Sequence, residues 1–184
     1  CDAMLAVDYS AGMLEQLRPK LEGHDHVTLA QMDGMALDIE DESFDYAFSQ
    51  FAVMLFDEPA RGLDELCRVL VPGGCAVVTA WAGPDRFESF GLFGEAIRRA
   101  LPELPQPEGP PPIFSLSDVD HFESLLGAAG FSEARVDHVT HIWSTPTAGE
   151  FVEIFTTSAP PARALFQAVG PDGTARVKQA MLDV

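Results

Sequence analysis

The chain has 184 residues, nearly half of them hydrophobic, which is enough to bury the core of one globular domain. A formal net charge of −18 argues against nucleic acid as a partner, because phosphate binding needs clustered Lys and Arg. The longest apolar runs, such as Cys75–Trp81, are too short to cross a bilayer, so no stable membrane insertion is expected.

No stretch combines a basic start, an apolar middle and a small-residue cleavage site, so no signal peptide is expected. Cys1, Cys67 and Cys75 show no CxxC spacing, which points to reduced thiols and a cytoplasmic protein. Cys67 falls in a helical pattern and Cys75 in a strand pattern, both read as small core residues and not as metal ligands.

Met4–Val7 is predicted as a strand ending in Asp8-Tyr9-Ser10, with Ser10 as N-cap of a helix whose apolar face is Met13, Leu14, Leu17 and Leu21. Val27–Met32 is the next strand, ending at Asp33-Gly34. After an acidic loop, Phe44–Phe51 forms a third strand that ends in Ser49-Gln50-Phe51. A helix starts near Asp57, Glu58 and Pro59 and buries Leu63, Leu66, Cys67 and Leu70 before Pro72-Gly73-Gly74 stops it. Cys75–Trp81 is a continuous apolar strand of the kind buried on both faces of a parallel sheet. Strand and helix alternate throughout, the pattern of an α/β fold with a doubly wound, mostly parallel, Rossmann-like sheet.

Beyond this, Phe90–Leu101 is predicted helical and Pro102–Pro112 a proline-rich surface loop. Ser117 or Asp118 caps a helix carrying Phe122, Leu125 and Leu126. Ala134–Ser144 is predicted as a strand, and 148–157, 161–168 and 174–182 as helices. The organisation expected is a single domain, with a cofactor-binding half over 1–101 and a substrate-side half over 102–184.

In open α/β sheets ligands sit at the carboxyl ends of the strands. Here those ends carry Asp8, then Asp33, then Ser49 and Gln50, then Trp81. A strand-end carboxylate can accept both hydroxyls of a ribose, and a second on the neighbouring strand can accept from an adenine amino group. The competing reading makes both aspartates helix caps or turn residues.

Four segments carry a specific resemblance: LAVDYSAGML, QMDGMALDIEDESFDYAFS, LDELCRVLVPGGCAVVTAW and LLGAAGFSEARV, in that order. Together they resemble the class I S-adenosylmethionine-dependent methyltransferases, in the small-molecule branch that includes the ubiquinone and menaquinone C-methyltransferases. The resemblance implies S-adenosylmethionine as cofactor and methyl transfer to a small-molecule acceptor. It places Asp8 on the ribose hydroxyls, Tyr9 and Met13 against the adenine, and Asp33 at the adenine amino group, with Gly34 and Met35 beside it. Ser49 and Gln50 would lie beside the methionine part of the cofactor. Arg68 and the Pro72-Gly73-Gly74 turn look family-like but structural.

The family's first strand with its glycine-rich loop, and its last strand, are expected outside this sequence, which makes the chain a fragment of a longer enzyme. The family's Pro-Phe after the loop leucine is here Asp38-Ile39. The acceptor pocket is expected to use Phe51, Met54, Trp81, Phe87, Phe114 and Trp143, an aromatic set suited to a hydrophobic or planar molecule, under a helical cap at about 146–182. His138 and His141 are the candidate general bases on the later strand, facing opposite sides of it, while His24 and His26 read as a solvated turn. Two other readings stay open: a nicotinamide-dependent oxidoreductase, and a non-catalytic binding module that keeps the fold.

Overall fold

The computed structural model describes residues 2–105, 111–158 and 160–183. The strands are β1 Met4–Asp8, β2 Val27–Gln31, β3 Phe44–Gln50 and β4 Leu70–Thr79. The helices are α1 Ala11–Leu17, α2 Pro59–Arg68, α3 Glu88–Ala100, α4 Val119–Ala128, α5 Ala148–Ser158 and α6 Pro160–Leu182. Among the described residues, no helix is long and apolar enough to cross a membrane. The chain packs as two units, Cys1–Trp81 with Pro112–Val136, and Ala82–Pro111 with Asp137–Val184. The boundary expected between 101 and 102 falls inside the second unit.

In the first unit every strand pairing is parallel, as the alternating pattern requires. The four strands form two pairs, β1 with β2 and β3 with β4, and no ladder joins the pairs among the described residues. Asp8 pairs with Gln31, and the Asp8 carbonyl accepts from the Met32 N–H at 3.3 Å, so the carboxyl ends of β1 and β2 are level. One face of the β3/β4 ribbon carries Ser49 and Val78 toward a core of Val53, Met54, Leu63, Leu116 and Phe122. The alternate residues Tyr46, Phe48 and Val77 lie at the surface.

Three local features differ from the sequence expectation. The first helix is short, because Pro19 has no N–H to continue the α ladder and Arg18–Leu21 tightens into a 3-10 turn. Of its expected apolar face only Leu14 is buried, and Met13 is exposed. The second is Pro72-Gly73-Gly74, which lies within β4. Phe44 pairs with Leu70 and Tyr46 with Cys75, so the turn is absorbed as a bulge, with Gly73 at φ +83° where a side chain would strain the backbone. The third is Ala134–Ser144, which forms no strand. Its Val, Ile, Thr and Trp content suits a strand, but a strand needs a neighbour, and none lies along it among the described residues; Val139, Ile142 and Trp143 are exposed.

The second unit is helical. α3, α5 and α6 close around Phe93, Ala96, Leu101, Val152, Phe155 and Val177, with the Phe93 and Phe155 rings edge-on at 5.4 Å. The helices expected at 161–168 and 174–182 are one run, α6, bent where Gly170 leaves helical geometry before Pro171. The Arg176 guanidinium donates to the Ala100 carbonyl, and Lys178 pairs with Glu153 at 2.6 Å, tying α6 to α3 and α5. Part of the proline-rich loop expected at Pro102–Pro112, residues 106–110, lies outside the described residues.

Candidate functional site

At the end of β1 the chain turns into α1 through a local hydrogen-bonded cap. The Ser10 N–H donates to Asp8 Oδ1 at 2.7 Å, and the Met13 N–H donates to Ser10 Oγ at 3.3 Å. One Asp8 oxygen is thereby held by the turn, while the other makes no hydrogen bond among the described residues. Tyr9, 76% exposed, and Met13, 55% exposed, flank this carboxylate as apolar surface. The Gln31 side chain donates to the Tyr9 carbonyl at 2.9 Å, fixing the turn to the end of β2.

Two residues beyond Gln31 the same arrangement repeats. The Met35 N–H donates to Asp33 Oδ1 at 2.9 Å, and the Ala36 N–H to the Asp33 carbonyl at 3.0 Å. Both aspartates therefore are turn residues, and each keeps one carboxylate oxygen for something else; the two readings weighed from sequence are compatible. Gly34 sits directly over the Phe56 ring, where a Cβ would fall 2.4 Å from Cζ. The same ring also meets Gly62 in α2, whose Cβ would fall 2.5 Å from Cδ2 and Cε2. The backbone at Asp33-Gly34 can take up this place only without a side chain at 34.

From Met35 to Asp41 the loop lies against α2. The Leu37 N–H donates to Glu65 Oε2 at 2.6 Å, and the Arg68 guanidinium donates to the Leu37 and Ile39 carbonyls at 3.0 and 2.7 Å. The same guanidinium pairs with Glu65 at 2.7 Å and Asp41 at 2.6 Å, so each of its N–H groups has a partner. The Arg68 hydrogen bond holds the Glu65 carboxyl below the usual carboxylate range, and Glu65 in turn, with Asp41, raises the guanidinium further above its ordinary value. A carboxylate whose pKa is depressed by folding stabilises the protein above its unfolded pKa and loses that contribution as pH falls through the folded value. Glu65→Gln is therefore expected to lower stability at neutral pH and to flatten the acid limb of a curve of urea midpoint against pH. Parallel curves for the two proteins would contradict the pairing.

At the ends of β3 and β4, Ser49 is buried and its Oγ accepts from the Val53 N–H at 3.3 Å, capping the Val53–Leu55 turn, while Gln50 is exposed. Phe51 has φ +53°, unusual for an aromatic residue, and is pinned by its N–H donating to the Thr79 carbonyl at 3.1 Å and to Thr79 Oγ1 at 3.0 Å. Its ring stacks on Trp81 with centroids 4.4 Å apart. Of the six expected pocket residues these two are brought together. Met54 and Phe114 are buried in the first unit's interior, Met54 accepting the Trp81 N–H on its sulfur at 3.4 Å. In the second unit Phe87 lies 5.5 Å from Phe90, and Trp143 lies 5.5 Å from Phe151. His138 and His141 are exposed in the irregular segment, where no strand exists to set them on opposite faces. His24 and His26 are exposed near a turn, with ring centroids 5.8 Å apart.

The sequence reading left Glu65, Phe56 and Arg61 out of the site. The spacing of Arg61, Glu65 and Arg68 along one helical face is the signal that could have drawn attention to the first and last of these.

Residues 1–78 match the family model described as a methyltransferase domain. The chain is 34% identical over 144 residues to a demethylmenaquinone methyltransferase of Clavibacter sepedonicus, covering 73% of this chain and 58% of that protein. The chain thus spans a little over half the length of that relative. Its fold is similar to that of a SAM-dependent methyltransferase from Aquifex aeolicus, with TM-score 0.53 and 21% identity over 74% of this chain and 63% of the other. It is similar also to the [4+2]-cyclase SpnF, with TM-score 0.54 and 20% identity over 98% of this chain and 60% of the other. Likeness of fold therefore does not by itself select the reaction.

Proposed function

We propose that this chain belongs to the class I S-adenosylmethionine-dependent methyltransferases and is part of an enzyme that methylates a hydrophobic, planar small molecule. The observation that carries the reading is the pair of level strand ends on β1 and β2. Asp8 stands there between exposed Tyr9 and Met13, and Asp33-Gly34 follows β2. The residues fit the cofactor's adenosine half on chemical grounds. Each aspartate retains an oxygen that can accept, one for ribose hydroxyls and one for the adenine amino group, and Tyr9 and Met13 offer apolar faces to a purine.

When bound, S-adenosylmethionine supplies a methyl group already activated on a sulfonium, so the work left to the protein is alignment and exclusion of water. Asp8 orients the ribose, and Asp33 with the Gly34 backbone fixes the base. Ser49 Oγ accepts from the Val53 N–H and keeps its own O–H to donate, and Gln50 is the exposed polar group at the end of β3, so both can serve the methionine end. The stacked Phe51 and Trp81 rings provide a flat apolar surface at the ends of β3 and β4, suited to a planar acceptor such as the demethylmenaquinone that names the Clavibacter relative. The acidic surface favours approach of a cofactor with a cationic sulfonium. The test is transfer of labelled methyl from S-adenosylmethionine to reduced demethylmenaquinone. Label recovered in the quinol, and reduced in Trp81→Ala, supports the reading; binding of the cofactor with no label in the quinol overturns the acceptor assignment.

A further inference from the structure

The contacts between α2 and the loop after β2 are ordered in a way that ordinary packing does not require. Along the helix they fall on Arg61, Glu65 and Arg68, steps of four and three that keep to one face. Along the loop they fall on Met35, Leu37 and Ile39, steps of two. Arg61 Nη2 donates to the Met35 carbonyl at 3.3 Å, Glu65 accepts from the Leu37 N–H, and Arg68 closes on the Leu37 and Ile39 carbonyls and the Asp41 carboxylate. Below the start of this segment, the Phe56 ring sets the height of Gly34.

All but one of these loop contacts are to backbone. The helix therefore fixes where the loop runs without specifying the side chains of 37 to 39. The array uses the Leu37 N–H and carbonyl and the Ile39 carbonyl, and draws on no side chain at 38 or 39. The loop's near end is Asp33, whose carboxylate is held by the Met35 N–H, and Met35 is the first residue that α2 grips.

We propose that the Arg61–Glu65–Arg68 face of α2 is a positioning device that sets the Asp33–Met35 turn for recognition of the adenine base, with Arg68 as its principal residue. This rests on the cofactor reading above and deepens it: Arg68 touches no ligand, and acts through Leu37 and Ile39 on Asp33. Lysine cannot replace it, because one ammonium cannot reach two carbonyls and two carboxylates in a planar fork.

The test compares S-adenosylhomocysteine with S-inosylhomocysteine, which carries a carbonyl in place of the adenine amino group, by calorimetry on the chain and on Arg68→Gln, Arg68→Lys and Arg61→Ala. Amide hydrogen exchange at Leu37 is read in parallel. The wild-type chain is expected to prefer the adenine ligand, and Arg68→Gln to lose on the order of tenfold of that preference. Arg68→Gln and Arg68→Lys should both lose protection at Leu37. A role in stability alone would weaken both ligands equally and leave their ratio unchanged, and that result overturns the proposal. If Arg68→Gln does not fold, Arg61→Ala, at the exposed rim, must still lower the ratio; an unchanged ratio there overturns it. A wild-type chain that binds neither ligand overturns the cofactor reading and this inference together, whereas preference retained in folded Arg68→Gln overturns this inference alone.

Discussion

Gly34→Ala is expected to cost the protein about 1–3 kcal/mol of stability, the usual range for overpacking a filled site, and to abolish measurable binding of S-adenosylhomocysteine. The new methyl group would lie 2.4 Å from Phe56 Cζ and 2.9 Å from Cε2. A phenyl ring at the end of an open side chain could swing away. Phe56 is restrained, because it packs against the core of Val53, Met54 and Leu63 and its Cδ2 and Cε2 lie close to the Gly62 backbone, with room there for no side chain. With the ring so packed, the backbone at 34 must shift, carrying Asp33 with it. The diagnostic is the double variant. In a Phe56→Ala background the same substitution at 34 should cost much less, and the coupling between the two positions should appear as a difference in urea midpoints. Equal cost in both backgrounds would mean that the ring does not set the height of the turn.

Asp8→Ala is expected to weaken S-adenosylhomocysteine binding by about 10- to 100-fold, the equivalent of one hydrogen bond to a charged acceptor. Part of any loss could come from the turn, because Asp8 Oδ1 also receives the Ser10 N–H. Asp8→Asn separates the two effects. It keeps an oxygen for Ser10 and removes the charge, so the helix start should survive while affinity falls to an intermediate value. Calorimetry on the three proteins, with melting curves to report the turn, decides between a ligand contact and a local cap. An intermediate affinity in Asp8→Asn, with melting that matches the wild-type chain, would support the contact. Affinity that follows melting in both would assign Asp8 to the cap alone.

What the sequence made legible follows from where each signal resides. β1, β2 and β3 were readable because their apolar runs end in turn residues, and the Ser10 cap because capping is a matter of neighbours three residues apart. The strand-end aspartates followed from strand placement plus a general rule about α/β sheets. The segment Ala134–Ser144 misled because β-branched and aromatic content states only that a strand would be acceptable; pairing is non-local and no neighbour supplies it among the described residues. Met54 and Phe114 were expected in the pocket from their apolar character, and sequence alone could not show that both side chains are buried. Arg68 was readable as family-like but not as a clamp, since its partners are backbone carbonyls 29 and 31 residues away. Phe56 left no trace because its contribution is the space it occupies beneath two glycines.

The measurement that tests the central claim most directly is calorimetric titration of the chain with S-adenosylhomocysteine, with NAD as the control ligand. Both ligands carry an adenosine, so strand-end carboxylates alone could hold either; the apolar faces of Tyr9 and Met13 around Asp8, and the Asp33–Gly34 turn set by Phe56, are assigned here to the methyltransferase cofactor. The account predicts saturable binding of S-adenosylhomocysteine and none of NAD. A folded chain that binds NAD in preference, or that binds neither ligand, would contradict it.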